Sequence, residues 1–149
     1  MINVKNIQYK ISQKTILQNI DLNIQEGKTT VIMGKNGSGK STLLKLLNQI
    51  IKPTSGLFDS TLSKPVPMLF QKPLMLQNSV NYNYHILQKI KKHQINHFWF
   101  KKFDLSHLSN QKMNSLSEGE KQKVFISRIM SLDQSQLFLD EPNQNLDLQ

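Results

Sequence analysis

The chain has no cysteine. That excludes a disulfide framework and any thiolate metal site, and it matches what a reducing cytosol favours. Arginine is almost as scarce: Arg128 stands alone among nineteen basic residues. Planar, bidentate recognition of phosphate, the habit of arginine-built nucleic-acid surfaces, therefore has almost nothing to work with. No apolar run approaches the roughly 18 residues of a membrane span. The N-terminus, MINVKNIQYK, has no apolar core segment, so neither a spanning helix nor a signal peptide is expected. Glycine is sparse too, with six in 149 residues, yet Gly34, Gly37 and Gly39 crowd into one short stretch. What the chain has in excess is positive charge, +9 at neutral pH, nearly all of it lysine. Such an excess can attract nucleic acid or an anionic membrane surface. Here the lysines are scattered through a chain rich in Asn, Gln and Ile, and they read mainly as solvated side chains.

The length suits one domain with a core of its own. Ile2, Val4 and Ile7 suggest a strand, and Ile20, Leu22 and Ile24 repeat with a cleaner period of two. Glu26-Gly27 turns the chain. Thr29 to Met33 is a short β-branched, apolar run ending at Gly34, the pattern of a buried strand. After Lys40, residues Leu43, Leu44, Leu46, Leu47, Ile50 and Ile51 form a helical stripe that Pro53-Thr54-Ser55-Gly56 ends. Met68-Leu69-Phe70 reads as a short strand. Ser79 can cap a helix reaching about Lys92, a shorter helix covers Ile95 to Lys102, and Gly119 to Leu132 is helical by pattern. Leu137-Phe138-Leu139 then forms a strand ending at Asp140. Strands alternating with helices predict an α/β core.

Gly34-Lys35-Asn36-Gly37-Ser38-Gly39-Lys40-Ser41 matches G-x-x-x-x-G-K-[ST], with a predicted strand before it and a helix after it. Glycines let backbone N–H groups converge on phosphate oxygens, and the helix start adds a positive dipole end. Lys40 is placed to reach β- and γ-phosphates, and Ser41 to coordinate Mg²⁺. Leu137 to Glu141 is an apolar strand delivering two adjacent carboxylates. Asp140 suits the Mg²⁺ shell and Glu141 suits a general base polarising water. Leu116-Ser117-Glu118-Gly119-Glu120 opens a basic helix, and Ser117-x-x-Glu120 is a capping box in its own right.

Together, and in this order, these motifs resemble the ATP-binding cassette (ABC) ATPase family over all 149 residues. The resemblance implies a P-loop NTPase (RecA-like) α/β core with N-terminal antiparallel strands, forming a single domain over 1–149 with an α-helical subdomain inserted at 73–115. It implies ATP and Mg²⁺ as ligands, with phosphates held by residues Gly34 to Ser41 and Thr42, and Mg²⁺ by Ser41, Asp140 and Gln71, the last matching the family's Q-loop glutamine. Leu116 to Glu120 matches the family signature, which meets the γ-phosphate of ATP held by the opposite cassette of a head-to-tail dimer. Asn145-Leu146-Asp147 matches the D-loop. Tyr9 falls where the family stacks an aromatic ring on adenine, though it also reads as an ordinary strand aromatic.

The implied partners are a second cassette and transmembrane permease subunits, on the cytoplasmic face of the membrane, with no direct nucleic-acid binding. Phe70-Gln71-Lys72-Pro73 and Ser79-Val80-Asn81 look most like importer cassettes of the phosphate or tungstate type. The cluster His97-Phe98-Trp99-Phe100 with Phe103 reads as core packing, or as lining for the permease groove. Two features depart from the family. Glu118 and Glu120 stand where glycine and glutamine are usual, and the four histidines all precede the signature, so none occupies the switch-histidine position beyond the Walker B carboxylates. The expectation is a cassette truncated after the D-loop. Its alternatives are a module that binds nucleotide without hydrolysing it and, prompted by the charge, an ATPase acting on nucleic acid.

Overall fold

A computed structural model describes residues 1–62, 66–92, 94 and 96–142. The D-loop residues Asn145, Leu146 and Asp147 lie outside them. The chain divides into two compact units, Met1–Val66 and Pro67–Gln149.

In the first unit, β1 (Ile2–Ile11) and β2 (Lys14–Ile24) form an antiparallel hairpin, and β3 (Ser55–Ser60) pairs antiparallel with the other edge of β1. Both hairpin strands run longer than their apolar alternation. The added residues, such as Lys10 and Lys14, are exposed and carry no alternation to read. Ile2, Val4, Ile7 and Leu17 are buried. The ladder slips near Asn6, which takes a left-handed φ of 50°; the Asp21 carboxylate compensates by accepting the Asn6 N–H at 2.6 Å. Gly56 crosses β1 at that slip with φ 103°, and a Cβ there would lie 2.5 Å from the Asn6 carbonyl oxygen. Only glycine passes. That crossing makes β3 a strand, although its residues Ser55 and Gly56 read as a turn.

Helix α1 (Lys40–Leu47) buries Leu43, Leu46 and Leu47. It stops before the predicted Ile51, because Gln49 turns left-handed at φ 55°. Thr29–Met33 differs from expectation more sharply. It is irregular backbone, with Val31 74% and Met33 87% exposed. A buried strand needs ladder partners for its backbone and cover on both faces, and among the described residues of this unit no strand lies alongside it.

In the second unit, β4 (Met68–Leu69) and β5 (Phe138–Leu139) form a parallel pair. Around it stand α2 (Val80–Ile90), α3 (Phe98–Lys102) and α4 (Glu118–Met130), with 3₁₀ turns at Ser106–Leu108 and Met113–Ser115. Ser79 and Ser117 cap α2 and α4 through their side chains, as their sequence positions predict. The core gathers Leu69, Val80, Tyr84, Phe100, Val124 and Ile129, among others. Tyr84, wholly buried, satisfies its hydroxyl on the Asn96 carbonyl at 2.6 Å and tilts its ring against Phe100 at 4.8 Å. Of the aromatic cluster, Phe100 packs inward, Trp99 and Phe103 are partly buried against the core, and Phe98 is exposed.

Candidate nucleotide-binding site

Gly34 to Gly39 turns tightly into α1. The Ser38 N–H donates to the Lys35 carbonyl, and Gly37 and Gly39 take φ of 78° and 94°. Gly39 is the N-cap of α1, and a Cβ there would meet Leu17 Cδ2 at 2.9 Å and the Ile16 carbonyl at 3.2 Å. The hairpin thus seats the loop at a position that needs glycine twice over, for space and for φ. Unlike α2 and α4, α1 has no side-chain cap, and unlike α4 it has no acidic residue in its first turn. Its leading N–H groups have no intrahelical acceptor, so with the dipole they favour an anion.

Lys40 opens the helix and arches back, donating from Nζ to the carbonyls of Gly34 at 2.9 Å and Lys35 at 3.0 Å. Two of its three donors are held on the loop, which fixes the ammonium there. Ser41 and Thr42 follow in the first turn, half-buried. Tyr9 pairs across the hairpin with Leu17. Directly opposed residues share a face, so half-buried Tyr9 lies on the face whose Leu17 borders Gly39.

In the second unit the candidate side chains Gln71, Asp140 and Glu141 follow the carboxyl ends of β4 and β5, the edge where open α/β sheets bind ligands. The Asp140 N–H continues the ladder to the Leu69 carbonyl at 3.0 Å, and Asp140 is 4% exposed. Glu141 follows at φ 51°, a left-handed conformation costly for a non-glycine residue. Its Oε2 accepts a 2.9 Å hydrogen bond from Gln71 Nε2. Gln71, Asp140 and Glu141, distant in sequence, are therefore assembled on one strand edge.

At the start of α4 the Ser117–Glu120 capping box is complete. Ser117 Oγ accepts from the Glu120 N–H at 3.3 Å, while the Ser117 N–H and hydroxyl both donate to Glu120 Oε2, at 2.8 and 2.7 Å. The hydroxyl bond, then the backbone bond, from Ser117 hold the Glu120 carboxyl below its ordinary range. Glu118 is exposed and pairs with Lys121 Nζ at 2.6 Å, Lys121 being mostly shielded. Buried Leu116 precedes the box and half-buried Gly119 stands within it.

Two residues of α4 had no assigned role in the sequence reading. Arg128 is buried, and its Nη1 and Nη2 both donate to the Leu74 carbonyl at 3.2 Å, three residues past Gln71. Its guanidinium lies 5.1 Å over the Phe125 ring, and burial pulls its pKa down to about 10. Gln122 Nε2 donates to the Pro142 carbonyl at 3.0 Å, just past Glu141. The helix that begins at Ser117 thus holds both loops that carry Gln71 and Glu141. The only signal in the sequence was rarity, one arginine against many lysines.

A glycine-rich loop opening a helix with Lys-Ser, and carboxylates at the end of a parallel strand, define a P-loop nucleotide-binding protein. The ABC transporter family model matches residues 17–144, and the chain belongs to that family. It is 38% identical over 156 residues to the zinc import ATP-binding protein ZnuC of Psychrobacter cryohalolentis, covering 99% of this chain and 62% of the relative. It is 34% identical to the hemin import ATP-binding protein HmuV of Photobacterium damselae subsp. damselae, covering 96% of this chain and 63% of that protein. The chain therefore spans about three fifths of the length of these relatives. Among solved structures it is similar to the dimeric structure of MJ0796, a bacterial ABC transporter cassette, with TM-score 0.80, 26% identity, and coverage of 99% of this chain and 76% of that one. Among the described residues no helix is long and apolar enough to cross a membrane.

Proposed function

We propose that this chain is the ATP-binding part of an ABC importer, hydrolysing ATP with Mg²⁺ in partnership with a second cassette and driving transmembrane permease subunits from the inner face of the membrane. The residues fit a magnesium-bound nucleoside triphosphate. The uncapped, carboxylate-free start of α1 and the Lys40 ammonium supply fixed positive potential for phosphate, and Tyr9, paired with the Leu17 that borders the loop, is read as the adenine platform. Mg²⁺ would be held by Ser41, Asp140 and Gln71, neutralising charge that develops on the phosphates. Glu141 orients and deprotonates the attacking water.

The observation that carries this reading is the Gln71–Glu141 hydrogen bond at the strand edge. It holds the carboxylate beside a glutamine amide, which supports reading Gln71 as the Q-loop glutamine and Glu141 as the base. The segment 73–115, helical and turn-like among its described residues, is read as the inserted subdomain, and Leu116 to Glu120 as the element that meets a partner cassette's nucleotide, with Asp147 as the D-loop aspartate. The relatives' names point to a transition metal or its chelate as the class of cargo, in place of phosphate or tungstate. The test is binding of a fluorescent ATP analogue, with and without Mg²⁺, followed by phosphate release with and without an intact cassette as partner. Failure of the chain to bind the analogue would refute the reading.

A second reading, a module that binds nucleotide without turnover, is favoured by one observation. The Ser117 hydroxyl already donates to Glu120, leaving no proton for a phosphate. Analogue binding without phosphate release, even beside an intact cassette, would select it.

A further inference from the structure

Between Asp59 and Asp104 the chain carries no Asp or Glu, yet Lys89, Lys91, Lys92, Lys101 and Lys102 fall in its last part. On α2, Tyr82, Ile86, Lys89 and Ile90 stand at helical spacing on one face. Tyr82 is 38% and Ile90 65% exposed, and Lys89 Nζ lies 5.8 Å over the Tyr82 ring. The opposite face, with Val80, Tyr84 and Gln88, is buried. On α3 the same division recurs: Phe98, Lys101 and Lys102 share the exposed face, while Phe100 enters the core. The two helices are tied locally. Asn96 accepts from the Tyr84 hydroxyl at 2.6 Å and donates to Gln88 Oε1 at 3.1 Å, and the His85 and His97 rings lie 4.8 Å apart.

A merely solvated face has no use for isoleucine and phenylalanine among its lysines. Bulky apolar side chains set among cations, with no carboxylate, match the chemistry of an anionic bilayer surface. We propose that the outward faces of α2 and α3 dock on anionic lipid headgroups, the lysines meeting lipid phosphates and Ile90 and Phe98 entering the headgroup–acyl boundary. Nucleic acid fits less well, since aliphatic Ile86 and Ile90 gain nothing from a phosphate backbone and the patch has no arginine. This surface is separate from the nucleotide chemistry and does not rest on it.

The chain is titrated with vesicles of phosphatidylcholine alone and with phosphatidylglycerol added, reading co-sedimentation and the emission of Trp99, the single tryptophan, whose ring lies 5.1 Å from exposed Phe98. Binding is expected only with phosphatidylglycerol, accompanied by a blue shift of Trp99. Each lysine at a charged surface is worth roughly fivefold in partitioning. The triple variant Lys89→Gln/Lys91→Gln/Lys92→Gln should therefore bind roughly a hundredfold less, and Phe98→Ser should lose the blue shift while still binding. A control, Lys5→Gln/Lys10→Gln/Lys14→Gln, removes equal charge from the first unit and should bind as wild type does. An equal loss in the control would reduce the effect to bulk charge and overturn the proposal. So would equal binding to both vesicle types, or patch-dependent binding to duplex DNA without binding to vesicles. ATP-analogue affinity, measured on the same variants, should not change, so a failure of nucleotide binding and a failure of lipid docking are read separately.

Discussion

Replacing Arg128 by methionine should leave the fold nearly as stable while loosening the loop that carries Gln71. The drop from the ordinary guanidinium value to about 10 is worth about 3 kcal/mol against the charged form. That cost is fully present at neutral pH, since both values lie far above it. Against it stand one carbonyl shared by two donors at 3.2 Å, worth about 1.5–3 kcal/mol as a charge-assisted bond, and the Phe125 ring at 5.1 Å, worth about 0.5–2 kcal/mol. The terms nearly cancel, and methionine restores apolar volume without a buried charge, a substitution that is often neutral.

Urea unfolding followed by Trp99 fluorescence should therefore place Arg128→Met within about 1 kcal/mol of wild type. The loop is another matter. Losing the tether should raise hydrogen exchange across residues 71–75 by roughly tenfold to a hundredfold, the bond energy expressed as an opening equilibrium. Arg128→Lys, able to make only one of the two bonds, should fall between. A loss of more than about 3 kcal/mol would mean that the cation is a net stabiliser, as when one partner of a buried pair is removed. Unchanged exchange would mean that Leu74 is held by something else.

Lys40→Ala should abolish binding of an ATP analogue at millimolar concentration, because Lys40 is the cation read against the β- and γ-phosphates and the loop's backbone donors are neutral; tight residual binding in calorimetry would contradict the assignment. Glu141→Gln should keep nucleotide affinity and remove any phosphate release, since glutamine preserves shape but cannot take a proton; equal turnover would show that Glu141 is not the base. Glu120, held below its ordinary 4.5 by Ser117, contributes stability that is complete above that unfolded value and lost as pH falls through the lower folded one. Melting temperatures across pH 4.5 should therefore fall more steeply for wild type than for Glu120→Gln.

The P-loop was legible because its function is local. Six consecutive positions dictate the turn, and the helix that follows needs no distant residue to begin. The caps at Ser79 and Ser117 were legible for the same reason. Gln71 and Glu141 were legible as individual motif residues, but their 2.9 Å contact joins positions 70 apart, and no periodicity encodes it. β3 was missed because Ser55-Gly56 carries turn chemistry, and its strand character comes from crossing β1 at Asn6. Thr29–Met33 failed in the opposite direction: its composition is that of a strand, but strand character requires a ladder, and residues 1–66 supply none for it among those described.

The two acidic residues of the signature act on different atoms, and the structure separates them. Glu120 is turned inward to its own helix start, where it occupies the Ser117 hydroxyl and N–H and strengthens the cap. Glu118 is turned outward, and Lys121 already neutralises it at 2.6 Å. If Leu116 to Glu120 meets a partner's nucleotide, repulsion from Glu118 is small while Lys121 stays in place, and the larger obstacle is Ser117, which must first release Glu120. Glu118→Gly should then change nucleotide-dependent association of two cassettes by less than about 1 kcal/mol, because it removes a pair rather than a bare charge. Lys121→Ala should weaken association more, by exposing that charge, and the difference should shrink as salt rises. Glu120→Gln, which loosens the grip on the hydroxyl, should strengthen it. Sedimentation of the three variants in a Glu141→Gln background, with and without MgATP and beside an intact cassette, ranks them. An effect of Glu118→Gly exceeding that of Lys121→Ala would show that the pair is broken when the partner arrives.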